Sequence, residues 1–321
     1  MLPDMIQKAR GRKYYRLEAM DWTAPLRERF GDRCLLGEPL ADYTTFQIGG
    51  AAECLVLPAD EEEWSWLLGQ TRRRGLPLTI LGLGSNVIIS DAGVPGVTAS
   101  TRRMDGIRIV GGRLRARSGA VLNEAVAKSV ALGLGGMEKL SGIPGTVGGA
   151  LGINAGAFGA ETYDVLDSFT ALDPAGRLVR RARSELKWGY RRVEGVSDLV
   201  FMEAEWALVP GDPRGLLETR NATLHARALK QPLEHPSAGS VFRRPPNDYA
   251  SRLIDSCGLK GLTVGRAQVS PKHAGFIVNL GGAMAAEVME LVRKVRAAVS
   301  ARTGVLLELE QIPLGFSKEE R

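Results

Sequence analysis

The chain has 321 residues, 44% of them hydrophobic and 24% charged, and carries a formal net charge of +6. That is an ordinary soluble globular composition, long enough for two or three domains, and it excludes a collagen-like, disordered or disulfide-scaffold protein. No run reaches the roughly 18 apolar residues of a membrane span, and the charged N-terminus lacks the apolar stretch of a signal peptide, so no membrane association is expected. The three cysteines, Cys34, Cys54 and Cys257, form no C-x-x-C pair, and the only histidines are His225, His235 and His273. No metal site is expected, and such thiols suit a reducing cytoplasm. The basic residues are not interleaved with aromatics as in single-strand binders, so the charge points to anionic small molecules rather than nucleic acid.

Residues 1–33 are basic and polar, with a weak helical period over 6–15, and read as an extension. A turn is predicted over 46–50 and a strand over 52–57. Asp60 reads as an N-cap with Glu63 three positions on as its partner. Trp64, Leu67, Leu68 and Thr71 then share a helix face, and Gly75 ends the helix. With a short apolar strand over 77–81, this makes a βαβ-like unit. The strand runs into Gly82-Leu83-Gly84-Ser85-Asn86. Glycines and small polar residues directly after a strand fit backbone contact with phosphate, and they fit an ordinary turn equally well. The Rossmann fingerprint would need glycine at Val87, and no P-loop sequence occurs.

Short strands are predicted over 87–90, 96–100, 107–110 and 113–117, followed by a helix capped by Ser118 and ended by Gly133. From Gly133 to Gly159 there are ten glycines in 27 positions, alternating with Ile143, Val147, Leu151, Ile153 and Phe158. A flexible linker would be polar and repetitive. Glycines among residues that want burial read as an ordered loop whose backbone comes close to a large anionic ligand. Strands follow over 165–173, 178–181 and 199–208. Pro210-Gly211-Asp212-Pro213 reads as a linker, with Pro213 in the first turn of a helix over 214–229. Helices over 249–257 and 285–301 and strands over 276–280 and 305–312 complete the chain.

Several ordered motifs now coincide: YTTFQIGG at 43–50, LGLGSNVIISDAGVPGV at 81–97, GMEKLSGIPGTVGGALGINAGAFGAE at 136–161, GYR at 189–191, PSAGSVFRRP at 236–245, GLKGLTVGRAQVSPKHAGFIVN at 258–279 and LELEQIPLG at 307–315. On these residues the chain resembles the MurB family of flavoenzymes, the UDP-N-acetylenolpyruvoylglucosamine reductases, over about 43–315. The compact layout resembles the second of the family's two structural types. The resemblance implies an α+β fold: an FAD-binding domain of the vanillyl-alcohol-oxidase (PCMH) type in two α+β subdomains (about 34–100 and 101–212), then an α+β substrate domain over 213–321. It implies noncovalent FAD, reduced by NADPH, and reduction of UDP-N-acetylglucosamine enolpyruvate to UDP-N-acetylmuramate for peptidoglycan. No residue pattern sets an oligomeric state. The alternatives are another flavin oxidoreductase built on the same FAD domain, or a paralogue without turnover.

The resemblance places FAD between two walls. One is Leu81, Gly82, Leu83, Gly84, Ser85, Asn86 and Val87. The other is Ser141, Gly142, Ile143, Pro144, Thr146, Val147, Gly148, Gly149, Ala150, Gly152 and Ile153. It assigns catalysis to Arg191, Ser240 and Glu310: a guanidinium fork for the substrate carboxylate, a proton donor, and an active-site glutamate. On their own, Arg191 reads as a surface arginine beside Arg192, Ser240 as a turn serine and Glu310 as a charge on a half-exposed strand shared with Glu308. Tyr190, Lys230, Arg244 and His273 are substrate-side candidates; a packed tyrosine, a helix-end lysine and a satisfied loop histidine are the plainer readings. The chain departs from the family's usual residues at Gln47, Val193, Arg243-Arg244 and Gly275.

Overall fold

Residues 21–317, 319 and 320 are described in the computed structural model of the chain, so the predicted helical period over 6–15 lies outside them. The strand Ala51–Val56 pairs antiparallel with Cys34–Pro39 and parallel with Val94–Ser100, and Leu78–Leu81 adds parallel on the far side of Val94–Ser100. The crossover is the helix Glu61–Arg74. Asp60 caps it by accepting the Glu63 N–H at 2.9 Å, and Gly75 closes it in the left-handed conformation at φ 62°. The reciprocal half of the predicted cap does not form. The Glu63 carboxylate turns to the Ala59 N–H at 2.7 Å and to both ends of the Arg33 fork at 2.6 Å, because a bidentate charged donor outcompetes a single backbone N–H.

The sequence reading leaves 1–33 as an extension, yet Ala24–Phe30 is a helix that buries Leu26 and Phe30 in the core with Trp64, Leu67 and Val97. Two apolar residues four apart are too few to register as a period. Each contributes roughly 1.5–3 kcal/mol when fully buried.

A second sheet runs in the order Leu178–Ala182, Leu166–Leu172, Val200–Trp206, Arg113–Arg117, Ile107–Val110, antiparallel throughout. Val200 and Met202 point into the core shared with Trp64, while Phe201 between them points to the opposite face, the period-two alternation of a strand buried on both sides. The helices Leu122–Ala131 and Val147–Ile153 cover that opposite face. The first of these is not capped by Ser118. Its N-cap is Val121, and Ser118 is held flat by its own backbone: its N–H bonds Met202 O at 2.8 Å and its carbonyl accepts the Gly148 N–H at 2.8 Å. The strand predicted from 165 is preceded by a short helix, Thr162–Val165.

The predicted linker is not free. Val209–Pro210 pairs with Leu134–Gly135, and Asp212 caps the helix Pro213–Lys230 through the N–H groups of Arg214 and Gly215. Beyond it, the strands Thr263–Val264, Ala267–Val269 and Ile277–Asn279 form an antiparallel sheet. The helices Ala250–Ser256 and Ala285–Thr303 cover it, the latter through Val288, Leu291, Val292, Val295 and Val299. The last strand differs from prediction. Residues 305–310 exchange only single hydrogen bonds with 241–243, and the regular strand is Ile312–Leu314, which pairs parallel with Val87–Ile89 in the first part of the chain. The fold is α+β, as expected. Among the described residues, no helix is long and apolar enough to cross a membrane.

Candidate active site

Segments far apart in sequence meet around one cavity of about 1220 Å³. Its lining includes Arg191, Ser240 and Glu310, and also Tyr190, Lys230, Arg244 and His273. The sequence-predicted catalytic and substrate residues are thus brought together.

Arg191 is the second turn residue of a tight hairpin between Trp188–Gly189 and Arg192–Val193, and its φ is +53°. A non-glycine residue there is strained, and the strain persists only where surrounding bonds hold it. Here they do. Arg191 Nε donates to Glu310 Oε1 at 2.6 Å, Nη2 to Gly156 O at 2.9 Å and Nη1 to Asn154 O at 3.4 Å. Asn154 is the left-handed C-cap of the helix Val147–Ile153, and its amide also holds Gly189 O and the Glu161 carboxylate. The glycine-rich segment therefore sets the arginine as well as a wall of the cavity.

Glu310 has a side chain only 7% exposed, and it also accepts from the Tyr190 hydroxyl at 3.1 Å. Burial and the Glu310 charge push the Tyr190 phenol above its ordinary pKa, so it stays a protonated donor at neutral pH. Glu308 is exposed and absent from the cavity wall, so the two glutamates do not share one face. The straight strand that would align them is missing. Ser240 sits on an isolated bridge to Phe276, and among the described residues its hydroxyl has no hydrogen-bond partner. Its loop is tied down by Gln311, whose amide donates to Ala238 O at 2.9 Å and Gly239 O at 3.3 Å.

The substrate-side candidates differ in exposure. Lys230 ends the helix Pro213–Lys230 and is exposed at the rim. Arg244 is exposed and stacks between the rings of Tyr190 and Tyr249, at 5.3 and 4.7 Å. Burial lowers the His273 pKa, which keeps its ring neutral, and Nδ1 accepts the Gly275 N–H at 3.1 Å. Glycine suits position 275 because a Cβ would stand 3.0 Å from that ring. Gln47 lines the cavity beside Thr45, whose hydroxyl bonds Ser237 O at 2.8 Å.

Of the residues expected to bind cofactor, Ser85, Asn86, Gly142, Ile143, Pro144 and Ile153 line the cavity. Leu81, Val147 and Ala150 send their side chains into cores, and Ser141 and Thr146 are buried, leaving backbone to face a ligand. The two walls are locked together: a Cβ on Gly82 would meet Thr146 Oγ1 at 2.5 Å. Among the described residues, the backbone N–H groups of Leu83, Gly84, Ser85 and Asn86 donate to no other protein group. Consecutive unpaired N–H groups beside glycines are a nest for an anion, which fits a flavin dinucleotide carrying a pyrophosphate. Gly149 and Gly152 are exposed, and Val87 is committed to its strand with Ile312.

Gly84 gives a test. Its φ is +60°, and a Cβ would stand 2.6 Å from Tyr43 O and 2.8 Å from Thr44 Cα, whereas at the equally left-handed Gly75 (φ +62°) nothing lies within 4 Å. Gly75→Ala is expected to cost about 1 kcal/mol in denaturant unfolding. Gly84→Ala is expected to cost clearly more and to lower the flavin bound per mole of protein. Equal losses for both would remove the case for a packed Gly82–Asn86 turn.

Sequence reasoning missed Asn154, Gln311 and Arg227. Asn154 and Gln311 lie inside motifs but carry no charge to draw notice. Arg227 is the buried arginine three positions before Lys230 on one helix face, and that spacing was the available signal.

The family model for the FAD binding domain matches residues 52–181, and that for the UDP-N-acetylenolpyruvoylglucosamine reductase C-terminal domain matches residues 231–312. The chain is 43% identical over 277 residues to the UDP-N-acetylenolpyruvoylglucosamine reductase of Methylococcus capsulatus, covering 85% of this chain and 90% of that one. It is 40% identical over 277 residues to that of Exiguobacterium sibiricum, covering 86% and 91%. The crystal structure of the Thermus caldophilus enzyme superposes with a TM-score of 0.76 at 34% identity, over 88% of this chain and 98% of that one. With cofactor-wall and substrate-domain motifs both matched along nearly full-length relatives, this chain belongs to the UDP-N-acetylenolpyruvoylglucosamine reductase (MurB) family.

Proposed function

We propose that this chain uses FAD to reduce the enolpyruvyl ether of UDP-N-acetylglucosamine to the lactyl ether, giving UDP-N-acetylmuramate for peptidoglycan, with NADPH as reductant. The observation that carries the reading is the hydrogen-bonded Arg191–Glu310–Tyr190 group facing the same cavity as an unpartnered Ser240 hydroxyl and the Ser85–Asn86 turn. Bound flavin would supply a hydride to the methylene carbon of the enolpyruvyl group.

Negative charge then builds on the substrate carboxylate, and Arg191 is the cation placed to meet it. Glu310 holds the Nε side of the guanidinium, and the carbonyls of Gly156 and Asn154 hold Nη2 and Nη1. The fork is therefore fixed before substrate arrives, and little reorganisation is needed at reaction. Ser240 gives its proton to the carbon bearing the carboxylate. A serine hydroxyl is a weak acid, but the enediolate it protonates is strongly basic, and among the described residues no acceptor competes for its hydrogen. Lys230 and Arg244, both exposed at the rim, suit the diphosphate, and the neutral His273 offers a hydrogen bond without added charge. The low bulk positive charge favours anionic ligands generally. A cytoplasmic setting, where nucleotide sugars and NADPH are both supplied, completes the proposal.

The test is an anaerobic titration of the purified protein followed by flavin absorbance. NADPH should bleach the flavin, and UDP-N-acetylglucosamine enolpyruvate should restore the colour. A bleached flavin that ignores this substrate would reassign the chain to another flavin oxidoreductase. A protein that takes up no FAD would overturn the reading altogether.

A further inference from the structure

Two of the chain's three thiols meet outside the cavity. Cys34 opens the strand Cys34–Pro39, and Cys54 lies in its antiparallel neighbour Ala51–Val56. Cys34 stands opposite Val56 and Cys54 opposite Leu36, so the two cysteines are diagonal neighbours across the pair. Residues two apart on a strand point to one face, and both cysteines pack into the core around Trp64 and Leu67. Both are free, and their Sγ atoms are 3.6 Å apart. Cys257 packs against a separate core in the C-terminal part of the chain.

The two thiols are not equivalent. Cys54 is fully buried, whereas Cys34 is partly exposed. The hydrogen bond between the sulfurs lowers the Cys34 pKa, burial opposes that, and the Arg27 charge adds to it. The same hydrogen bond and burial raise the pKa of Cys54. The thiolate is the attacking species in disulfide exchange, so a reagent meets the more acidic and more exposed sulfur first. Two thiols that only filled a core would both be buried and inert. A disulfide needs its sulfurs at roughly 2.0 Å. Cys34 is the first residue of its strand, directly after the turn Gly31–Arg33, so the movement needed falls at a strand end rather than in mid-sheet.

We propose that Cys34 and Cys54 are a reversible redox site, which a low-molecular-weight disulfide converts to an intramolecular disulfide. The inference is independent of the function proposed above. The Cys34 thiolate attacks one sulfur of the reagent, the reagent's S–S bond breaks, and half of it leaves as a thiolate. Cys54 then loses its proton, attacks Cys34 Sγ in the mixed disulfide and expels the other half. The two cysteine protons end on the two expelled thiols. The cysteine pair is oxidised by two electrons, and the reagent is reduced to two thiols. A reducing compartment keeps such thiols reduced, so the bond forms when the small-thiol pool is oxidised. The link closes a loop that contains Thr45 and Gln47 of the cavity wall. A closed loop restricts the unfolded chain, so oxidation stabilises the first sheet.

The experiment exposes the folded, full-length protein to glutathione disulfide, followed by acid quenching, alkylation and peptide mass mapping. Two of the three thiols should be lost and found joined as a Cys34–Cys54 link, with Cys257 still free to alkylate. Dithiothreitol should restore all three, and the linked protein should unfold at a higher denaturant concentration than the reduced one. In Cys54→Ala the reaction should stop with glutathione on Cys34. In Cys34→Ala the buried Cys54 should stay unmodified. The wild-type mapping decides the matter even where a variant fails to fold. A wild-type chain that keeps both thiols, or that stops with glutathione on Cys34, would overturn the inference. So would a link that forms only in denaturant, which would make the sulfur contact plain core packing.

Discussion

Ser240→Ala should leave bleaching of the flavin by NADPH nearly intact while slowing its reoxidation by the enolpyruvyl substrate by about 10²–10⁴-fold, the range of a well-placed general acid. The asymmetry follows from the site. The Ser240 hydroxyl makes no hydrogen bond among the described residues, so its removal strands no buried partner there and should barely touch stability. The backbone of its loop is held by Gln311 and by the Val241 N–H to Gly275 O at 2.9 Å, neither of which involves the side chain. Rapid-mixing absorbance measurements on the two half-reactions separate the cases. Should both half-reactions slow by the same factor, Ser240 would be acting on the flavin pocket as a whole, and its assignment as proton donor would fail.

Arg191→Ala should be comparably severe and have a different signature. Removing one preorganised donor to a developing oxyanion costs about 10²–10³-fold in turnover, and this substitution also strands Glu310. That carboxylate is nearly buried and would keep only the Tyr190 hydroxyl and whatever water entered. A stranded buried charge destabilises the protein. Loss of activity should therefore come with lower stability. Arg191→Ala combined with Glu310→Gln removes the stranded charge, so it should recover stability without recovering turnover. Activity returning with stability would show that Arg191 serves the fold and not the reaction. Denaturant unfolding, beside the substrate half-reaction, decides this.

How far the sequence alone reaches can be judged from particular residues. The helix Glu61–Arg74 was legible because its signals are local: an Asp cap, an apolar face and a closing glycine lie within one short stretch. The glycine-rich segment was legible as ordered for the same reason, since its glycines alternate with residues that want burial, but the helix Val147–Ile153 within it was not. The cap assigned to Ser118 failed because a distant partner, the N–H of Gly148, claims its backbone. The strand over 305–312 was misplaced because its pairing is decided by the edge at Val87–Ile89, far away in sequence. At the site, motif register put Arg191, Ser240 and Glu310 on one cavity, but it said nothing of what holds them. Asn154 and Gln311 act through contacts that no spacing encodes, and only the spacing of Arg227 from Lys230 hinted at the third. The positive φ of Arg191 is likewise a product of tertiary contacts.

The parallel pairing of Ile312–Leu314 with Val87–Ile89 has a consequence for synthesis. The Asn86 amide reaches Glu310 O at 3.3 Å across a separation of 224 residues, so the turn proposed for the cofactor and the carboxylate proposed for the substrate share one ladder. Pairings so remote form late in folding, after large loops have closed. A growing chain on the ribosome can fold its first sheet early, but it has no Glu310 to orient Arg191 until residue 310 has emerged. A half-made protein thus has the turn proposed for the cofactor without a finished substrate site, which is completed only when the last strand pairs.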